Sequence, residues 1–367
     1  MNQTPDYLVV GAGPSGCIIA DRMASRGRSV LLIDKRNHVG GNCHDSHDEA
    51  GILVHRYGPH YFRTNDDGLL QYLSQFTSWL PAQYIVKSKV GEIYYPLPIN
   101  LTTLEMFFKQ EFTEETARAF VAERCEPITH PANAEEYVLA NMGRELYEAF
   151  YRPYTLKQWG RSPREIDVAV CGRVPIRFNR DFRYVTHKHQ CMPDAGYTAM
   201  FTRMVASRDI ELQLNTDYAA IKEYCKPKIA TVYTGPVDTY FGHCYGTLPW
   251  RSLRFEPRHY DKVFQQPCVQ VNYPDEQPFT RSVEIKHVTG QIHPATTVIY
   301  EYPVATGEPY YPVPSQASRE QYARYQELAE HETASCRVHF IGRLARYTYI
   351  DMDQAMLAAL KAADTLI

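Results

Sequence analysis

The chain has 367 residues, too many for one simple core and suited to two or three domains. With 44% hydrophobic and 22% charged residues it is globular, and a formal net charge of −3 gives no general attraction to nucleic acid or an anionic membrane. Nine cysteines form no CxxC pair and no metal-like cluster, which predicts free thiols in a reducing, cytoplasmic setting and no metal.

The first element is a strand, Tyr7 to Val10, running into Gly11-Ala12-Gly13-Pro14-Ser15-Gly16. A helix-like stretch from Cys17 to Ser25 follows, with Gly27 as its stop, and then a second strand, Val30 to Ile33, ending at Asp34. Each glycine has a distinct job in such a unit. Gly11 permits the tight turn, Gly13 lets the backbone approach a pyrophosphate, and Gly16 lets helix and strand pack closely. The helix N-terminus offers unpaired N–H groups and positive partial charge to the phosphates, and Asp34 stands where it can accept from a ribose. An ordinary βαβ unit explains the acid at the strand end poorly. The turn Gly40-Gly41-Asn42 allows another close backbone approach, and Tyr57 to Thr64 sets His60 and Arg63 three residues apart among aromatics.

The texture changes after Pro96-Leu97-Pro98. Residues 101–159 are rich in Glu, Ala, Phe and Met with apolar spacing of three to four, and Ala134–Ala140 and Glu145–Phe150 read as helices. Arg161 to Asn179 is mixed, with Pro163 and Pro175 as breakers, and reads as a mobile loop. Alternation returns at Ile210–Leu214 and Ile229–Tyr233, the latter closed by the turn at Gly235. Strands at Val269–Tyr273, Ser282–His287 and Thr297–Tyr302 predict an antiparallel sheet. A strand from Val338 and a helix from Asp351 to Leu366 close the chain. No repeat or low-complexity segment is present. Met1 to Pro5 carries no basic region, so no signal peptide is expected, and no apolar run approaches the length of a membrane span.

Several longer segments carry a resemblance: NHVGGN, YGPHYFRTN, PLPIN, YTLKQWGRS, GRVPIRF, TGPVDTYF, GEPYYPV and GRLARYTYIDMDQ. With the glycine turn they make the chain similar over nearly its whole length to the UDP-galactopyranose mutases. These are FAD enzymes that interconvert the pyranose and furanose forms of a nucleotide-linked galactose. The resemblance implies an α/β fold with a discontinuous Rossmann-like FAD-binding domain (1–80, 195–240, 310–367). It also implies an inserted helical domain with the nucleotide site (81–160) and a mobile loop and antiparallel sheet domain over the flavin (161–194, 241–309). It implies that the flavin must be reduced, that its central-ring nitrogen attacks the anomeric carbon to give a flavin–sugar adduct, and that UDP leaves. A departing diphosphate needs fixed cations and hydroxyl donors.

By the same resemblance, Arg173 is the loop arginine over the diphosphate and Arg281 a second phosphate-binding arginine. Tyr184, Tyr311 and Tyr349 meet the phosphates, with Tyr310 competing for the role of Tyr311. Tyr154 stacks on uracil, Trp159 lies beside the mobile loop, and Asn272 joins the substrate site. His60 and Arg63 sit near the flavin and are placed with the catalytic set. The flavin is held by Gly11, Gly13, Ser15, Gly16, Asp34, Lys35, Gly41, Asn42, His60, Gly235, Arg343, Asp351 and Met352. The family pattern also implies an external flavin reductant and a homodimer.

Three departures stand out. Many family members have a second histidine where this chain has Arg63, a permanent forked cation to which a 2-acetamido sugar would offer a carbonyl. The usual Tyr-Gln-Gly reads His189-Gln190-Cys191, with His187 replacing an acid, and the segment near Tyr84 lacks the common asparagine. UDP-galactose is therefore the first substrate expected, with UDP-N-acetylgalactosamine or a deoxy-sugar nucleotide next. A flavin amine oxidase or dehydrogenase shares the N-terminal unit, but it does not account for two phosphate-matched arginines and the tyrosine set. A catalytically silent nucleotide-binding protein is disfavoured because the matching positions are mostly intact.

Overall fold

A computed structural model describes residues 4–172 and 176–366. The chain divides into two compact units. The first draws on Met1–Pro81, His187–Pro249 and Ala317–Ile367, and the second on Ala82–Thr186 and Trp250–Gln316. Among the described residues no helix is long and apolar enough to cross a membrane.

The first unit is built on a five-stranded parallel sheet. Its order is Ile210–Gln213, Val30–Ile33, Tyr7–Val10, Ala230–Tyr233 and Val338–Phe340. The two central N-terminal strands are buried at every residue, which is why they read as unbroken apolar runs rather than alternating ones. Helix Pro14–Ala24 packs on this sheet, and helix Met352–Thr365 packs against that helix. The Tyr7 hydroxyl donates to the Leu366 carbonyl at 2.5 Å, so the last residues are tied to the first strand. A smaller antiparallel sheet has His189–Pro193 at its centre, flanked by Phe62–Thr64 and Trp79–Pro81.

A buried acid organises the region behind the glycine turn. Asp45, only 2% exposed, accepts from the backbone N–H groups of Tyr197 (2.7 Å) and Thr198 (2.9 Å) at the start of helix Gly196–Met204. This is a capping interaction made from outside the helix. A Cβ on Gly196 would stand 2.6 Å from the Asp45 carboxylate, so the approach requires glycine. His55 lies beside this acid, its Nε2 4.0 Å from Asp45 Oδ2. Its Nδ1 accepts from the His60 N–H at 3.0 Å, which puts the imidazole proton on Nε2.

The second unit joins the helical segment to a seven-stranded sheet. The strand order is Tyr311–Pro312, Trp250–Tyr260, Thr296–Val304, Arg281–Val283, Gln270–Asn272, Val86–Val90 and Ile93–Leu97. The three predicted strands do pair antiparallel. One neighbouring pair does not: Gln270–Asn272 runs parallel to Val86–Ser88. Those strands are far apart in sequence, so no hairpin forces the opposite direction.

Helices fill 101–159 as their spacing predicts. Asn100, Thr113 and Asn133 cap three of them by accepting from backbone N–H groups in the first turn. Ile99, Leu104, Val138, Leu146 and Tyr147 form the centre of that core, each at most 1% exposed. The predicted loop after 160 contains a short helix, Val168–Gly172, where Val168-Ala169-Val170 gives an apolar face despite the flanking prolines. Helix Gln316–Cys336 was not anticipated. Of its 21 residues only Ser318, Tyr325 and Ala329 are buried, so it shows almost no apolar stripe.

Burial holds the His55 imidazole down to about 3, against an ordinary value near 6.5. Above that ordinary value it is neutral both folded and unfolded. As pH falls below it the unfolded chain takes up a proton that the folded chain refuses, so stability drops until the folded value is reached. The expected loss between pH 7 and pH 4 is on the order of a few kcal/mol. Melting temperatures measured across that range should fall less steeply for His55→Gln than for the parent; parallel curves would assign the acid sensitivity elsewhere.

Candidate active site

The first unit holds a cradle at the end of its sheet. Gly11 adopts φ +101°, and a Cβ there would lie 2.1 Å from Thr234 Oγ1, which itself donates to the Val10 carbonyl. A Cβ on Gly16 would lie 1.8 Å from the Gly11 carbonyl oxygen. These two glycines are demanded by the protein itself. Gly13 is different, because a Cβ there would meet nothing nearer than the Gly41 Cα at 3.8 Å. Helix Pro14–Ala24 starts at Gly13 with no side-chain cap, so the first-turn N–H groups after Pro14 face that open space. A glycine with no packing reason beside an uncapped helix N-terminus fits a pyrophosphate.

Asp34 is 9% exposed and holds this turn in place. Its Oδ2 accepts from the Ala12 N–H at 2.7 Å and its Oδ1 from the Arg36 N–H at 2.8 Å. Each oxygen keeps a second lone pair, which leaves the carboxylate able to receive a ribose hydroxyl. Gly40 donates its N–H to the Ala12 carbonyl at 2.8 Å, bringing the Gly40-Gly41 turn against the first one. Arg36 donates to Asn42 Oδ1 at 2.9 Å and lies 4.5 Å from the Tyr57 ring centroid. Lys35 is exposed beside it, whereas Ser15 is buried and a Cβ on Gly342 would come within 3.2 Å of its Oγ. Gly235 lies against the Tyr233 ring, with space for no Cβ beyond 2.7 Å.

His60 and the C-terminal segment belong to the same unit. The His60 Nδ1 lies 3.0 Å from the Gly58 carbonyl, so it carries the proton and Nε2 is left as an acceptor. Desolvation, then the neighbouring His55, push this imidazole down to about 3, and the Arg343 charge acts in the same direction. The Cys43 thiol donates to Met352 Sδ at 3.4 Å. Arg63 is committed to Asp351, NH2 to Oδ2 at 2.9 Å, while its buried Nε has no hydrogen-bond partner. The cation expected to face a sugar is thus anchored by the acid before the last helix. Tyr349 is 36% exposed.

Two of the three departures are structural in this unit. His189 Nε2 lies 2.5 Å from Asp67 Oδ1, and Lys188 Nζ reaches both oxygens of Asp67 at 2.7 Å. Gln190 accepts from the Tyr61 hydroxyl at 2.7 Å, and Cys191 pairs with Phe62 in the sheet. His187 Nδ1 is buried without a hydrogen-bond partner.

In the second unit, strand register brings charged groups into one row. Asn272 stands opposite Arg281, and Arg281 opposite Glu301, so all three side chains share a sheet face. The Arg281 guanidinium donates through Nε to Glu301 Oε2 and through NH2 to the Tyr311 hydroxyl at 2.8 Å. Glu301 has no exposed surface, and its Oε1 has no hydrogen-bond partner. Burial works against the Arg281 charge, but the Glu301 carboxylate together with Tyr311 and Tyr154 outweighs it, and the guanidinium stays protonated well above its usual range. Burial raises Glu301, and Arg281 opposes that rise.

Aromatic side chains surround this row. The Tyr311 and Trp159 ring centroids are 6.2 Å apart. Burial raises the Tyr154 phenol, with the Arg281 charge acting against it. Tyr184 lies 6.3 Å from the Tyr84 ring. Helix Arg152–Trp159 carries Tyr154 and Trp159 and ends at Gly160 with φ +64°. Arg251 holds that end, donating to the carbonyls of Gln158 (2.6 Å) and Lys157 (3.1 Å). Arg173 lies outside the described residues.

Glu301 and Arg251 escaped the reading of the sequence. Glu301 did leave a trace, as the one acid in the apolar strand Thr297–Tyr302. Arg251 left none, because it sits in a strand with no period-two pattern.

The profile of the UDP-galactopyranose mutase family matches residues 149–349, and that of an NAD(P)-binding Rossmann-like domain matches residues 9–76. A probable UDP-galactopyranose mutase of Klebsiella pneumoniae is 37% identical, covering 99% of this chain and 94% of its own. A dTDP-fucopyranose mutase of Escherichia coli is 34% identical over 98% of both. A solved structure of a reduced UDP-galactopyranose mutase superposes with a TM-score of 0.73 at 17% identity, covering 99% of this chain and 93% of that one. A putrescine oxidase bound to putrescine shares the fold more distantly, with a TM-score of 0.53 at 12% identity over 99% of both chains. This α/β chain, with its Rossmann-like dinucleotide unit, belongs to the UDP-galactopyranose mutase family.

Proposed function

We propose that this protein is an FAD-dependent isomerase that interconverts UDP-galactopyranose and UDP-galactofuranose, with the flavin in its reduced form. The observation that carries the reading is the guanidinium of Arg281, fixed between a buried carboxylate and a tyrosine hydroxyl beside Asn272. Such a group cannot wander, so it meets negative charge that develops on a leaving diphosphate without reorganising. Tyr154 and Trp159 offer flat apolar faces for the base, and Tyr184, Tyr311 and Tyr349 offer hydroxyls to phosphate oxygens. Arg173 is assigned the same role from resemblance alone. A bound reduced flavin supplies the electron pair that displaces the diphosphate from the anomeric carbon.

The remaining proposed roles fall on the first unit. Gly11, Gly13, Ser15, Gly16, Asp34, Lys35, Gly41, Asn42, Gly235, Arg343, Asp351 and Met352 hold the dinucleotide, and neutral His60 presents Nε2 as an acceptor toward the flavin. Arg63 acts through its pairing with Asp351. The dTDP-fucopyranose mutase among the relatives supports a second reading, a deoxy-sugar nucleotide as substrate. The nine free cysteines support a cytoplasmic protein, and family resemblance supports a homodimer primed by an external reductant.

Gly13→Ala separates ligand contact from folding. Nothing in the chain obstructs the added methyl, so the melting temperature of flavin-free protein should match the parent. FAD retention, read from released flavin, should fall about tenfold or more. Equal retention would remove Gly13 from the pyrophosphate site.

Reduced enzyme should convert UDP-galactofuranose to UDP-galactopyranose with no stoichiometric flavin oxidation, followed by chromatography. Turnover that is indifferent to dithionite sinks the mutase reading. Arg281→Ala combined with Glu301→Gln removes both charges and leaves no orphaned carboxylate. It should lower kcat/KM by roughly two orders of magnitude or more, as expected for losing a charged partner. A change of less than about threefold would take Arg281 out of the site.

A further inference from the structure

The row that holds Arg281 contains a second, uncharged device. Gln270 and Asn272 are two residues apart on one strand and so share the face that carries Arg281 and Glu301. The Tyr84 hydroxyl donates to Gln270 Oε1 at 2.8 Å, and Gln270 Nε2 donates to Asn272 Oδ1 at 2.8 Å. Tyr84 is 4% and Gln270 5% exposed, so water does not compete for these bonds.

A primary amide has one accepting end and one donating end. With the phenol occupying the Gln270 carbonyl, Gln270 can offer Asn272 only its NH2. Asn272 must answer with its carbonyl, which leaves its own NH2 outward. Asn272 is part-exposed, and among the described residues its Nδ2 makes no hydrogen bond. Burial keeps the Tyr84 phenol protonated far above its ordinary range, so its proton stays available at every physiological pH.

We infer that Tyr84 and Gln270 are positioning residues that fix Asn272 as a hydrogen-bond donor to an oxygen of the nucleotide sugar beside Arg281. The inference rests on the proposed mutase reading. It assigns to two side chains that never touch the ligand the choice of which end of Asn272 the ligand meets. An oxygen acceptor is welcomed there, and an N–H group is refused.

The test is Gln270→Glu in the full-length, FAD-loaded enzyme with UDP-galactose. At neutral pH the introduced carboxylate accepts from Tyr84 but has no proton for Asn272. Asn272 then turns its NH2 inward and its carbonyl toward the ligand. KM should rise about tenfold or more with a smaller change in kcat, as for an unpaired polar group in a site. As pH falls and the introduced carboxyl takes up a proton, its O–H again serves Asn272 and KM should return toward the parent value. Arg281, Glu301, Tyr184 and Cys268 act on Tyr84 in both proteins, so the parent's own pH profile is the control.

Tyr84→Phe keeps the ring and should raise KM a few-fold with no recovery in acid. A normal KM for both variants, or a raised KM in Gln270→Glu that acid does not restore, overturns the inference. Should Gln270→Glu not fold, Tyr84→Phe with an unchanged KM overturns it alone. A parent enzyme without turnover would instead sink the mutase reading, and the relay would be read from UDP-galactose binding by calorimetry. The same pH-dependent loss with UDP alone would place the acceptor on a phosphate; its absence with UDP would place the acceptor on the sugar. Either supports the assignment.

Discussion

A carboxylate with no exposed surface, Glu301, is answered by a single guanidinium, and the arrangement of the second unit follows from that pairing. A buried charge left alone costs about 3–5 kcal/mol, so Arg281 has little freedom to leave it. The pair is not a bargain for stability, since Glu301 Oε1 has no hydrogen-bond partner and two ions have lost water. Its effect is positional. Three strands must keep their register for Asn272, Arg281 and Glu301 to stand in one row, and a slip of one residue would turn each of them to the other face. The carboxylate thus converts a flexible side chain into a fixed cation, with the entropy of ordering already spent before a ligand arrives.

The first unit uses a different constraint. Its glycines exclude atoms rather than attract charge. Gly11 and Gly16 are required because the chain passes within reach of itself, and Gly13 is required by nothing in the chain. Asp34 then locks the turn by accepting from the Ala12 N–H, so the acid that marks the motif also maintains its shape. The two devices complement one another chemically. One leaves backbone N–H groups uncapped at a helix start, and the other fixes a guanidinium beside a buried carboxylate.

Much of the first unit could be read from residues alone, because its signals are local. A strand, glycines at fixed offsets, a helix and a terminal acid lie within 28 consecutive residues, Tyr7 to Asp34, and each has a steric or electrostatic reason. The C-terminal strand and helix were legible for the same reason. The second unit resisted. Arg281 could be named from resemblance, but its partner stands on the neighbouring strand, 20 residues on in sequence, and no spacing rule finds it. Glu301 looked like one polar interruption in an apolar strand. The parallel pairing of Gln270 with Val86 joins segments separated by the whole helical region, which local pattern does not encode. Helix Gln316–Cys336 was missed because it is mostly solvent-facing. Arg63 was singled out from the resemblance but not as the partner of Asp351, since the two meet only in the folded chain.

Arg251 gives the second unit a further property. By gripping the last carbonyls of helix Arg152–Trp159, it welds the aromatic helix to the sheet that bears Arg281. The side chains on that helix can therefore diversify while the span between ring and guanidinium stays constant. Among relatives named for UDP-linked and dTDP-linked sugars, such a joint would leave the aromatic helix free to vary without disturbing Arg281.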